Sequence, residues 1–432
     1  MPDMPTPSTA DSILRRAHDL RIADWSDAEL LHWAAAAMSL PRRDPADSFV
    51  LHAPLELLAR AALLPFVTPD QREAARLRIV SLVDQFDGWD PAGSGAGITG
   101  SLPAPIEGAG LLVAALRSGD MDAADVGARS VAMVTDPRAV AALIGAAILP
   151  NLAAAAHAPI LLMHLPRVAP RGEVTAELLR SLARELARNP GLQIDWVADR
   201  PSTGGSPAAL TAALDAVPAL GLPGSSFIFP LMHQVDSTGT ARELLGPSAA
   251  GVSARAARPV LLRHAARAMV LADPIHAPYG WTHCLTMAQG ALAIAEQCGD
   301  EQLAVDIAAT YVVGFLAAEA AEPVPHAVDL PFPGGTLAEA IAAGRDEAAG
   351  WVLGAPAGTD AGTWTEVISR AARLHDAHLV KYTLACRDET AADPEAGRLY
   401  LAAAASLLAF WESFVNPEDP LAAVSAVATA PS

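Results

Sequence analysis

Apolar positions recur along this chain every three to four residues, and runs that alternate residue by residue are nearly absent. That spacing places one apolar stripe on each helix, so it predicts helices rather than strands. The clearest stretches are Val174 to Asn189 (VTAELLRSLARELARN), Pro207 to Leu220, Leu303 to Ala320 and Arg398 to Phe414. Start signals accompany them. Ser26-Asp27-Ala28-Glu29 reads as a capping box ahead of LLHWAAAAM, and Thr68-Pro69-Asp70-Gln71 offers a cap, a first-turn proline and a glutamine to close the box. Pro/Gly-rich breaks over 88–110, 199–207, 323–335 and 354–363 read as loops, and none resembles a flexible interdomain linker. The predicted architecture is all-α. It is one large multi-helix bundle over residues 10–416, its helices joined by Pro/Gly-rich loops, followed by a loose tail over 417–432.

Composition sharpens this picture. The chain is 52% hydrophobic and 18% charged, and alanine dominates its apolar content, which favours closely packed helices. A net charge of −19 with no basic run argues against nucleic-acid and anionic-membrane partners. Ala139 to Pro166 carries no Asp, Glu, Lys or Arg and is long enough to span a bilayer. Pro150-Asn151 interrupts it, and His157 and His164 would be costly in lipid, so a buried helical hairpin is predicted instead. Cys284, Cys298 and Cys386 show no CxxC spacing, and the N-terminus lacks a signal-peptide pattern. A reducing, cytoplasmic setting is therefore expected. The string Gly95-Ala96-Gly97-Ile98-Thr99-Gly100 matches GxGxxG, but no strand precedes it, and Pro103 and Pro105 interrupt the stretch where its helix should follow. It reads as a surface loop.

Candidate chemistry concentrates in histidine. His18 and His32 lie among charged or surface positions, whereas His52, His157, His164, His283, His375 and His378 sit in apolar or alanine-rich surroundings. A lone buried imidazole needs only a carbonyl partner, but several in a weakly charged chain suit iron, zinc or copper. The stretch LHDAHLVKYTLACRDE, Leu374 to Glu389, adds Lys381, the only lysine among 29 basic residues. On a helix His378 and Lys381 converge, His375 points away from Lys381, and Asp376 falls on the far side. Arginine would have met any need for a fixed positive charge. A buried lysine can lose its proton, and the neutral amine can then act as a base, form a Schiff base or take up carbon dioxide as a carbamate.

Four short pieces, in order along most of the chain, resemble the questin oxidase-like family. They are His52-Ala53-Pro54-Leu55, His157-Ala158-Pro159-Ile160, His283-Cys284-Leu285-Thr286 and Asp376-Ala377-His378-Leu379-Val380-Lys381. The resemblance implies an enzyme that uses O2 to open a ring of an anthraquinone-like, polyketide-derived substrate. One branch of that family is a non-haem iron dioxygenase holding Fe(II) through four histidines and a carboxylated lysine. Carried over, those ligands would be His52, His157, His283, His378 and carboxylated Lys381, with His164 an alternative to His157 and His375 an outer reserve. His378 and Lys381 would be the residues nearest catalysis. Other members are viewed as Baeyer–Villiger-type oxidases, which here would draw on external NADPH. Trp281, Tyr279 and Phe315 are candidates to stack on a small aromatic substrate. Two rival readings are an HD-type metal phosphohydrolase, prompted by His375-Asp376, and a non-catalytic helical binding protein. Oligomeric state is not legible.

Overall fold

The helical periodicity is realised along the chain in the computed structural model, which describes residues 9–91, 101–134, 136–168, 177–220, 228–320, 322–414 and 419–422. Among the described residues there are twenty α-helices and no strand, apart from isolated bridges between Arg42 and Pro91 and between Asn151 and Gln193. The Gly95–Gly100 string lies outside the described residues. One continuous apolar core extends from Ile13 to Leu421.

Local signals set several helix starts, and tertiary contacts override others. The Ser26 box closes: the Glu29 N–H donates to Ser26 Oγ at 3.3 Å, and the Ser26 N–H donates to the Glu29 carboxylate at 2.6 Å. At Thr68 it does not. The helix Pro69–Asp87 begins without a side-chain cap, the Thr68 N–H donates to Ser369 Oγ, and the Gln71 amide donates to Asp70. Residues 101–104 are not helical, and Pro105 opens the helix Pro105–Ser118, because its missing N–H falls where a helix needs no donor.

The charge-free stretch breaks near Pro150-Asn151 into the helices Arg138–Ile148 and Ala158–Val168, which pack together. Two other helical segments, Ser48–Phe66 and Glu301–Glu319, are long and apolar enough to cross a membrane, yet most of each is buried within the protein. Buried arginines tie distant segments together. Arg60 donates to Glu56 and to the carbonyls of Ala372, Leu374 and His375, joining the first of those segments to the turn before Lys381's helix. Arg78 forks onto Asp419, and Leu421 is buried beside the core. Residues 419–422, expected in a loose tail, are therefore anchored: a buried guanidinium requires a carboxylate partner, and the tail supplies it.

Four helices position the histidines: Ser48–Leu63, Ala158–Val168, Thr282–Ala293 and Ala377–Ala392. The first packs on the second and fourth, and the third packs on the same two, closing a ring of four neighbours.

Candidate metal centre

That ring of helices becomes a ring of imidazoles. Centroids of His52 and His157 are 4.5 Å apart, His157 and His283 5.2 Å, His283 and His378 4.9 Å, and His378 and His52 5.0 Å. Across the ring, His52 and His283 stand 6.4 Å apart. One nitrogen each from His52, His157 and His283 lies within 4.8 Å of the others.

Each of these three rings is oriented by backbone. His52 Nδ1 lies 2.6 Å from the Ser48 carbonyl, one turn earlier on its helix. His157 Nδ1 meets the Ala155 and Ala154 carbonyls at 2.7 and 3.1 Å. His283 Nδ1 meets the Tyr279 carbonyl at 2.6 Å. A carbonyl only accepts, so in every case Nδ1 carries the proton and Nε2 keeps its lone pair. All three Nε2 atoms are buried and have no hydrogen-bond partner. This is how metal-ligating histidines are held, with the second nitrogen fixed by a carbonyl or carboxylate.

Two irregular turns produce these orientations. Ala154, Ala155 and Ala156 adopt left-handed backbone, with φ of 52°, 52° and 53°. Left-handed backbone costs an L-residue roughly 1–2 kcal/mol, and alanine would otherwise continue a helix. The turn folds two carbonyls back onto His157, the residue that starts the next helix. Ahead of His283, Ala277–Trp281 forms a π-helical turn that presents the Tyr279 carbonyl. Such single π turns recur at functional sites.

Lys381 lies on the same helix as His378, one turn further along, only 2% exposed, and its Nζ has no hydrogen-bond partner. Burial pushes its amine down to about 8, against the opposing pull of the Asp376 and Glu56 carboxylates. Burial also holds all four imidazoles well below the usual histidine range, and the Lys381 charge adds to the effect at each. At neutral pH the rings are therefore neutral donors, and the lysine carries the one proton that a bound cation must displace.

Of the six singled-out histidines, His52, His157, His283 and His378 come together, and the Lys381 charge acts on all four. His164 is buried further along His157's helix, roughly 10 Å away by helical rise, so the two cannot serve one centre. His375 precedes the helix cap, and its carbonyl is held by Arg60. Asp376 corrects the sequence-based expectation. It is the N-cap, with extended backbone, so its carboxylate folds over the first turn. Its Oδ1 accepts the N–H groups of His378 and Leu379, and its Oδ2 stands 3.6 Å from His378 Nδ1. An aspartate spent on capping is poorly placed to be the metal ligand that the HD-type reading requires. Among the aromatic candidates, Trp281 is core, Phe315 stacks on His283 at 6.5 Å, and half-exposed Tyr279 meets His378 edge-on at 5.0 Å.

The donors fit a transition metal: convergent neutral imidazoles with fixed tautomers beside a lysine able to become neutral. Imidazole alone suits iron, zinc and copper alike. No family model, curated protein or solved structure matches the chain.

Close helix approach holds His157 in the ring. A Cβ on Gly290 would stand 2.9 Å from the Ile160 backbone nitrogen, so the His283 and His157 helices touch backbone to side at this point. Gly290→Ala should push the His157 helix outward by several tenths of an ångström and weaken zinc binding roughly tenfold or more, as outer-shell changes do. Competition with a chelating dye measures this, and an unchanged affinity would show that the helix spacing does not matter to the site.

Proposed function

We propose that this protein is a non-haem iron oxygenase that uses O2 to cleave a ring of a polycyclic aromatic substrate of anthraquinone type. The observation that carries the reading is the set of three partnerless, carbonyl-oriented Nε2 atoms, with His378 and a partnerless lysine amine closing the ring. The resemblance to the questin oxidase-like family supplies the choice of iron and of the ring chemistry.

In this reading Lys381 works as a carbamate. Its neutral amine adds to the carbon of carbon dioxide, one C=O electron pair moves onto oxygen, and the nitrogen releases one proton to water. A cation that repels a metal thereby becomes an anionic oxygen donor. Ferrous iron, held there by the imidazoles and the carbamate, would supply a redox-active centre with an open position for O2, and the electron-rich ring of the substrate would be the reductant. The chain does the rest. Its buried imidazoles stay neutral, the apolar helices exclude water, and Asp376 steadies the start of the His378 helix. Half-exposed Tyr279, edge-on to His378, marks the side from which a flat substrate reaches the ring.

The test is metal content of freshly purified protein by mass spectrometry, followed by O2 uptake with a panel of hydroxylated anthraquinones. About one iron per chain, and isotopically labelled dioxygen recovered in a ring-opened product, are expected. Failure to retain metal even after anaerobic iron loading sinks the reading.

A further inference from the structure

A second unusual group lies behind the π turn. Glu319 is the last residue of the helix Glu301–Glu319, four residues after the Phe315 that stacks on His283. It is 7% exposed, and neither carboxyl oxygen has a hydrogen-bond partner. The carboxyl occupies the space a side chain at Gly280 would need: a Cβ there would fall 1.7 Å from Oε2. Gly280 belongs to the π turn that aims the Tyr279 carbonyl at His283.

The surroundings disfavour a carboxylate. The carbonyl end of a helix repels an anion, and burial alone pushes this carboxyl up to about 8. The titratable groups facing it are buried Cys284 and part-exposed His276, whose Nδ1 is 3.7 Å from Oε1. That gap is a small side-chain rotation from a hydrogen bond. His276 also opens the third His-Ala-Pro of the sequence, a repeat the metal ring leaves unused.

We propose that His276 and Glu319 form a proton inlet to the candidate centre, with His276 exchanging protons with solvent and Glu319 storing one against the π turn. The inference rests on the oxygenase reading, in which a hydroxylated aromatic substrate loses its O–H proton to solvent on binding and the ring-opened product takes one back. Glu319 gives its carboxyl proton to that product oxygen and becomes a carboxylate. His276, protonated from solvent, then returns a proton to Glu319, so the proton released on binding is recovered and no charge accumulates.

Infrared difference spectra between the parent and Glu319→Gln test the stored proton without metal or substrate. A carbonyl band of a protonated carboxyl is expected at neutral pH in the parent and absent in the variant. Its deuterium exchange should slow roughly tenfold in His276→Ala. With iron loaded, Glu319→Gln should keep the parent's metal content, lose roughly tenfold in O2 uptake, and show a flattened pH profile. A missing band, exchange indifferent to His276, or O2 uptake equal to the parent's would each overturn the inlet. If the parent holds no metal, the oxygenase reading fails by itself, and the band and exchange still report on the proton pair.

Discussion

Replacing Lys381 by methionine is expected to strip the protein of metal and, at the same time, to make the metal-free chain more stable. The first effect follows from losing the ligand. The second follows from the amine's surroundings. In the fold it is buried without a hydrogen-bond partner, and its pKa falls from 10.5 to about 8. Between about pH 8 and 10.5 the unfolded chain holds a proton that the folded chain has released, so stability rises with pH across that window. Below about 8 both states hold the proton, and the fold bears the whole penalty of a buried ammonium. Methionine has a similar length and no charge, so at pH 7 the metal-free variant should gain on the order of 2–3 kcal/mol, and its alkaline rise should vanish. Lys381→Arg separates the two effects, because its charge cannot be discharged: it should lose both metal and stability. Metal analysis and urea unfolding at pH 7 and pH 10 check this. A methionine variant that keeps the parent's metal would remove Lys381 from the ligand set, and one that is less stable without metal would show that the buried amine carries no such penalty.

The largest loss of stability is expected away from the metal ring, at Glu389. Its carboxylate is fully buried and accepts from Arg258 Nε at 2.8 Å and from the Gln289 amide at 2.6 Å. These three residues link the helices Ala254–Leu271, Thr282–Ala293 and Ala377–Ala392, two of which carry the His283 and Lys381 positions. Glu389→Ala leaves a mostly buried guanidinium and a buried amide without their partner and opens a cavity. The cost should be about 3 kcal/mol, reduced somewhat because Arg258 keeps some contact with water. Chemical unfolding of the metal-free protein measures it, with Glu389→Gln as a control that retains the shape and an acceptor. A change below about 1 kcal/mol would mean that water replaces the carboxylate at little cost.

How far the sequence reveals this protein depends on the range of the interaction concerned. Helix periodicity is local, so the all-α pattern and most helix positions are legible from spacing, as is the Ser26 box. Lys381 is legible for a different reason: one lysine among twenty-eight arginines stands out against its own composition. His52, His157, His283 and His378 stand out by apolar surroundings and by a family resemblance, with His164 as an alternative to His157. Misreadings fall where a particular hydrogen bond, near or distant along the chain, overrides the helical pattern. Thr68 gives its N–H to Ser369. Asp376 turns its carboxylate over a helix it begins. Ala154 to Ala156, strong helix formers, bend left-handed so that two carbonyls can meet His157. Glu319 had no signal at all, since its character comes from Gly280, thirty-nine positions away.

The sequence by itself determined which segments are helices and which donor atoms the chain can offer. Only the tertiary structure decided which histidines meet and where their lone pairs point. Helix formation is set by neighbours along the chain, whereas convergence depends on packing between helices far apart in the sequence. There, a missing Cβ at Gly290 and the buried reach of Arg60 hold the helices at the spacing that brings four imidazoles into one ring.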